Sequence, residues 1–337
     1  MKQAKHLAIT LGDPAGIGPE VLLKLLPNIL SGGNRVTIYG SSAGLAILPS
    51  HSVDYKFSGG KFIFGSHEID WADPAPEIGP SDLRLGAPSA LSGRCAVEAV
   101  KMAAADVLSG RADALLTLPI SKVAAQMAGY DINGHTELLQ QITGSPKVRM
   151  AFVGPKLKVA LHTAHQSLRS AIDKLSAESV ADTLLFVSTR FAPMLGLKNA
   201  RVALCALNPH AGEGGLFGNE ELALAQAIEI AKKSFNGSII ERDSTACVPE
   251  FSGPWPADTI FQRASRGEFD IVVALYHDQG MIPVKLLEPS DTVNLTVGLP
   301  FIRTSPGHGT AFDIAGKWSA DPSNALAAAN LAFSFMG

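Results

Sequence analysis

Cysteine is scarce in this chain. Three residues, Cys95, Cys205 and Cys247, are scattered through 337, and none forms a Cys-x-x-Cys pair. An odd, unpaired set gives no disulfide framework and reads as buried, reduced thiols in a cytosolic protein. Positive charge is not in excess either: the net charge is −3 and the pI about 6.3. That removes the basic footprint expected of a protein for nucleic acid or anionic membranes, so any phosphate binding has to be local. Long apolar runs are also missing. None approaches ~18 residues, and the run before the first Gly-Asp-Pro turn is too short for a signal sequence. A cytoplasmic location is the default expectation, with no membrane or nucleic-acid partner. Repeats, heptads and low-complexity segments are absent too.

What the chain does have is alternation. HLAITLG (6–12), RVTIYG (35–40), DALLTLP (113–119), KVALHTAH (158–165), RVALCALNPH (201–210) and DIVVALYHD (270–278) predict strands. PEVLLKLLPNIL, SGRCAVEAVKMAAADVLSG, SAESVADTLLFVSTRFAPML and NEELALAQAIEIAKKSF predict amphipathic helices with capping signals. The order predicts an α/β protein with a mainly parallel sheet. Residues 50–88, rich in Gly, Pro and Ser, predict irregular surface with a small hairpin. The alanine-rich last helix, DPSNALAAANLAFSFM, is expected to dock on the sheet or at a subunit interface. No clean linker divides the chain, although 337 residues suffice for two domains of roughly 150 each.

Several stretches carry chemistry. GDPAGIGPE (12–20) follows the first strand and opens a helix, but it lacks the third glycine of a dinucleotide fingerprint and the Gly-Lys-Ser/Thr of a P-loop. It reads as a tight strand-to-helix turn. NGHTELL (133–139) puts His135 and Thr136 at a helix start, where free N–H groups, a hydroxyl and an imidazole suit an anion; the plain alternative is capping by Thr136. His165, His210 and His277 each close a predicted strand, His277 within DIVVALYHDQG, where the strand is expected to open onto a loop. Three neutral imidazoles with open coordination positions suit Zn²⁺ or a similar transition metal. His162, three residues before His165, falls on the opposite strand face and reads as a bystander. Lys285, and Asn294 and Arg303 around a Gly-Leu-Pro turn in VNLTVGLPFIRTS (293–305), suit a carboxylate or phosphate, with surface solvation as the alternative. Lys122, at a helix start where a cation opposes the dipole, is a mild sign of function.

Taken in order, ITLGDPAGIGPE, GHTELL, LNPHAGEGG, GPWPADTIF, YHDQGMIPVK, GLPFIRTS and HGTAFDIAGK resemble the 4-hydroxythreonine-4-phosphate dehydrogenase (PdxA) family of vitamin B6 biosynthesis. The resemblance covers about 310 residues. It implies an isocitrate/isopropylmalate dehydrogenase-like fold: two α/β domains that share elements, with a cleft between them. Residues 1–130 with about 300–337 would form the cofactor-side domain holding both termini; about 131–299 would carry the metal ligands and dimer interface. It implies a homodimer with the active site at the interface. The metal would be held by His165 from one subunit and His210 and His277 from its mate: zinc first, with Mg²⁺ or Co²⁺ the other candidates. His135, Thr136, Lys285, Asn294 and Arg303 would hold a phosphorylated hydroxy acid. His308, Gly309, Thr310, Ala311 and Asp313 would line the cofactor loop for NAD or NADP. Two positions depart from the family pattern: Gly307 replaces an aspartate and Trp318 a glycine.

The implied reaction is NAD(P)- and divalent-metal-dependent oxidation and decarboxylation of 4-phosphohydroxy-L-threonine to 3-amino-2-oxopropyl phosphate. Lys122 and Asp258 are the candidates for proton handling. The alternatives are a paralogue acting on a four-carbon sugar-acid phosphate or an aromatic cis-dihydrodiol dicarboxylate, a phosphate acyltransferase, and a metabolite sensor. The histidines and HGTAFDIAG speak against the acyltransferase, and the intact ligand motifs against the sensor.

Overall fold

The apolar, β-branched runs form strands and the amphipathic runs between them form helices. The computed structural model describes residues 4–49, 53–237 and 248–336. The chain divides into two units, Met1–Val148 with Val293–Gly337, and Arg149–Thr292.

The first unit holds β1 (His6–Thr10), α1 (Gly18–Leu30), β2 (Arg35–Tyr39), α2 (Ala43–Ala46), β3 (Tyr55–Ser58), β4 (Lys61–Phe64), β5 (His67–Ala72), α3 (Ala90–Leu108), β6 (Ala114–Thr117), α4 (Lys122–Met127) and α5 (His135–Thr143). The second holds β7 (Arg149–Val153), β8 (Lys158–Leu161), α6 (Leu168–Asp173), α7 (Ala177–Phe186), α8 (Ala192–Met194), β9 (Arg201–Cys205), α9 (Glu220–Gly237), β10 (Glu250–Trp255), α10 (Ala257–Ser265), β11 (Ile271–Ala274) and α11 (His277–Leu287). The chain then returns to the first unit with β12 (Val293–Val297), β13 (Ile302–Ser305) and α12 (Ser323–Phe335). Residues 131–148 and 293–299, which the resemblance assigns to the second domain, lie in the first unit.

In the first unit the strand order is β12-β13-β6-β1-β2-β5-β4-β3. Pairing is parallel from β13 through β5 and antiparallel at both ends. One face packs on α1 and α12 through Leu22, Leu26, Ala325, Ala328 and Ala332. Alanines let α12 lie close to the strands, so the last helix docks on the sheet. The other face packs on α3 and α5 through Ala8, Val100, Leu115 and Leu139. Residues 53–88 are more ordered than expected: β5 pairs with β2, and Phe62 and Ile69 are buried. The region's Gly turns hid a short meander.

In the second unit the order is β10-β9-β11-β8-β7, parallel except for β8 with β7. Its core gathers Phe152, Val159, Ala203, Ile260, Val272 and Val284. Cys95 and Cys205 are free and buried; Cys247 lies outside the described residues.

Candidate active site

Alternation along strands aligns a row of polar side chains in the first unit. β12 and β13 pair with Asn294 opposite Ser305 and Leu295 opposite Thr304, which sets Thr296 across from Arg303. β13 pairs Arg303 with Leu115 of β6, and β6 pairs Thr117 with Thr10 of β1. With a period of two, Thr296, Arg303, Thr117 and Thr10 share one sheet face. This is the face covered by α3 and α5, near the carboxyl ends of β6 and β1, where open α/β sheets place their ligands.

Arg303 is only 1% exposed, so the surface-solvation alternative fails. Its guanidinium donates to Thr117 Oγ1 from Nε (3.1 Å) and Nη2 (2.6 Å), and to Thr296 Oγ1 from Nη1 (2.9 Å). Burial pushes its pKa down to about 9, with the Glu137 carboxylate opposing the shift, so it stays cationic at neutral pH. His135 is the first residue of α5, after Gly134 at φ 153°. Its Nε2 is sealed from solvent without a hydrogen-bond partner. Burial first, and then the Arg303 charge, hold the imidazole well below its ordinary pKa, so it is neutral. Thr136 caps nothing: the cap position belongs to Gly134, and the Thr136 hydroxyl lies 3.4 Å from that of Thr296. Asn294 Oδ1, two residues along the same strand face, is also sealed and unpartnered.

Lys122 opens α4 behind its Ser121 cap, and its Cε lies 3.8 Å from where a Cβ on Gly134 would stand. It therefore flanks the start of α5. Lys285 belongs to the second unit, exposed in the last turn of α11.

The loop His308–Asp313 is backed by the first glycine turn. Ile17 N–H donates to Thr310 O (3.0 Å), and a Cβ on Gly16 would stand 2.9 Å from that oxygen. Gly86 N–H donates to Ala15 O, and a Cβ there would stand 2.9 Å from Phe312 O. GDPAGIGPE is thus a tight turn whose missing side chain at Gly16 lets another loop approach. Within that loop Ala311 is left-handed (φ 40°), Gly309 faces open space, and His308 Nε2 is sealed and unpartnered. Thr310 and Asp313 complete it, Asp313 exposed in a short 3₁₀ turn. Gly307, in place of the family's aspartate, donates its N–H to Asn324 Oδ1. Trp318, in place of the family's glycine, is left-handed (φ 56°). The fully buried Glu20 holds it by accepting from Trp318 N (3.1 Å) and Ala320 N (2.8 Å), while Lys24 Nζ donates to the carbonyls of both and to Glu20.

The histidines lie in the second unit, at the carboxyl ends of neighbouring strands. The His165 and His277 rings are 6.3 Å apart, centre to centre, within one chain. An imidazole centre lies about 3.2 Å from a metal on its nitrogen, so in a tetrahedral site two histidine ligands have ring centres roughly 5 Å apart. The two rings are neighbours on that scale, about 1 Å wider apart than this spacing. His277 does not open onto a loop: it is the first residue of α11. Its Nδ1 meets Asp278 Oδ1 at 2.7 Å, leaving Nε2 as the donor to a metal, an arrangement common around ligating histidines. Gln279 accepts from Leu275 N (2.7 Å) and donates to Ala206 O (2.8 Å), tying the end of β11 to the segment after β9.

His210 lies in that segment, exposed, and no cluster of three His, Cys, Asp or Glu side chains forms among the described residues. From His210 to Gly214 five consecutive residues are left-handed. Each non-glycine residue in that conformation costs roughly 1–2 kcal/mol. Glu221 braces the approach to it, accepting from Leu207 N (3.0 Å), Asn208 N (2.7 Å) and Asn208 Nδ2 (2.9 Å). Asp258, exposed in the first turn of α10, lines a depression of about 380 Å³ with Phe261, Tyr276, Asp278 and Gln279. His162 is a bystander in substance: its Nδ1 meets Thr183 Oγ1 at 2.7 Å, and burial with the nearby Arg149 lowers its pKa to about 4.

Sequence reasoning missed Thr117, Thr296 and Glu20. A threonine at the end of a buried strand is an ordinary residue, and only strand register exposes the row it belongs to.

The family model described as "Pyridoxal phosphate biosynthetic protein PdxA" matches residues 51–332. A 4-hydroxythreonine-4-phosphate dehydrogenase of Desulfosudis oleivorans is 40% identical over 97% of this chain and 94% of its own length. A D-threonate 4-phosphate dehydrogenase of Salmonella typhimurium is 40% identical over 93% of each. The crystal structure of a 4-hydroxythreonine-4-phosphate dehydrogenase from Klebsiella pneumoniae superposes with a TM-score of 0.80 at 37% identity, covering 99% of this chain and all of that one.

Proposed function

The chain belongs to the PdxA family of pyridoxal phosphate biosynthetic proteins, and from that membership we propose that it is a cytoplasmic, NAD(P)- and divalent-metal-dependent dehydrogenase of 4-phosphohydroxy-L-threonine, yielding 3-amino-2-oxopropyl phosphate. The observation that carries the substrate assignment is Arg303: a buried cation met by hydroxyls, with a neutral imidazole and an unpartnered amide oxygen on the same face. A buried charge calls for a counter-charge, and a substrate phosphate supplies it. His135, Thr136 and Asn294 complete its coordination, with Lys285 as a further cation.

Neutral His135 presents Nε2 as a donor to a phosphate oxygen without adding charge. Lys122 and Asp258 hold and move the protons of the reaction. His165, His210 and His277 hold the metal, Zn²⁺ first among Mg²⁺ and Co²⁺, and Asp278 fixes the tautomer of His277. His308 to Asp313 hold the dinucleotide, with Gly16 keeping their backbone close to α1. When bound, the metal supplies Lewis-acid polarisation of the reacting hydroxyl and the dinucleotide accepts hydride.

The working form is a homodimer. Ile282 (59% exposed) and Leu286 (77% exposed) stand one turn apart on α11, the helix that His277 begins, and large apolar side chains displayed together mark association surfaces.

The test is NAD(P)H formation from 4-phosphohydroxy-L-threonine, with and without a chelator, beside D-threonate 4-phosphate. Chelator-sensitive turnover with kcat/KM highest for the amino acid supports the assignment. A preference for D-threonate 4-phosphate overturns it.

A further inference from the structure

We infer that Thr117 and Thr296 are positioning residues of the anion subsite: their hydroxyl oxygens accept three of the five N–H bonds of Arg303 and leave one on each terminal nitrogen for a substrate phosphate. The inference rests on the phosphate reading of Arg303 given above and extends it to two residues on neighbouring strands.

Thr117 Oγ1 takes Nε (3.1 Å) and Nη2 (2.6 Å), one whole edge of the guanidinium. Thr296 Oγ1 takes Nη1 (2.9 Å) from the strand on the other side. The plane is therefore held at both ends. A hydroxyl suits this task better than a carboxylate: it fixes direction without neutralising the charge. Threonine also suits it better than serine, because a β-branched side chain is stiff at χ1 and both residues sit in strands. An aspartate at either position would occupy the guanidinium as a buried ion pair and compete with the phosphate. Thr117 has a second use. Its oxygen accepts both N–H bonds, and among the described residues nothing accepts its own hydroxyl hydrogen, which remains for the bound anion. Thr10 continues the row on β1, its Oγ1 sealed and without a partner.

The experiment compares Thr117→Val, which keeps shape and removes the acceptor, with Thr117→Ser, Thr296→Val and Arg303→Met. Inorganic phosphate binding is measured by calorimetry, and KM and kcat for the phosphorylated substrate by NAD(P)H formation. Thr117→Val is expected to weaken phosphate and raise KM by about tenfold each, with kcat changed less than about threefold. Thr117→Ser should recover most of the loss, and Thr296→Val should act in the same direction as Thr117→Val. Should Thr117→Val fail to fold, Thr296→Val and Thr117→Ser carry the comparison. Wild-type phosphate affinity and KM in the folded valine variants would overturn the inference, as would an Arg303→Met variant that still binds phosphate normally. If the wild type binds phosphate through Arg303 and the threonines but does not oxidise 4-phosphohydroxy-L-threonine, the substrate assignment falls and the positioning role stands.

Discussion

A charged group sealed under a sheet face is costly unless something compensates it, and at Arg303 the compensation within the protein is only partial. Asp13 poses the reverse problem. It is fully buried in the first glycine turn, accepting from Ala15 N (2.9 Å) and Ser92 Oγ (3.3 Å), and burial raises its pKa to about 6. Because the folded value lies above the unfolded one, the stabilisation is complete below about pH 4 and is lost as pH rises through about 6. Asp13→Asn keeps the acceptor for Ala15 N and reverses the second contact, its Nδ2 donating to Ser92 Oγ. It is expected to remove that slope and raise stability at pH 7 by on the order of 2–3 kcal/mol, read from urea denaturation at pH 4.5 and 7. At Asp278 the effect concerns the metal: Asp278→Asn should weaken metal binding by about 10- to 100-fold, measured by competition with a chromogenic chelator. The histidines were legible because imidazoles at strand ends are uncommon and each stands in a distinctive motif. Asp13 was not, since Gly-Asp-Pro reads equally well as an exposed turn, and burial is a property of what packs over it.

At the level of elements, glycines mark where two segments come closer than side chains allow. A Cβ on Gly93 in α3 would stand 2.0 Å from Ala124 O in α4. Gly93→Ala must push α4, and Lys122 with it, off α3. A loss of about 1–3 kcal/mol is expected in thermal or chemical unfolding, together with a fall in kcat. Gly16→Ala acts on the other loop. Pressing on Thr310 O, it should raise KM for the dinucleotide by severalfold while leaving KM for the phosphorylated substrate within about twofold. Strands and long helices were legible because their periods are local. The left-handed run at 210–214 was not: Pro-His-Ala-Gly-Glu-Gly-Gly signals a turn, but the hand of Ala211 and Glu213 is set by Glu221 and Asn208 bracing the approach. The change from strand to helix at His277 escaped notice for a similar reason, since Gly280 and Pro283 inside α11 look like breakers.

For the whole molecule, the order of seven motifs made the family legible, whereas the points where the chain crosses between the units, after Val148 and before Val293, were not, because no linker composition marks them. Association is the prediction that belongs here. Sedimentation should give a mass near twice 35.3 kDa, and Leu286→Glu should shift it toward the single-chain value with loss of turnover. The path itself has a consequence for synthesis. β13 lies in the interior of the first unit's sheet, between β12 and β6, and α12 covers one of its faces, yet both are made last. A ribosome elongating at about 5–20 residues per second takes roughly 10–40 s from the end of β6 to Ser305. Throughout that interval the nascent first unit presents an unpaired β6 edge and an uncovered apolar face, while the second unit, one continuous segment, emerges and can complete its own core. The second unit can thus close before the first, although it is begun later, and aggregation during translation is where a weakened β1, β2 or β6 would be felt first.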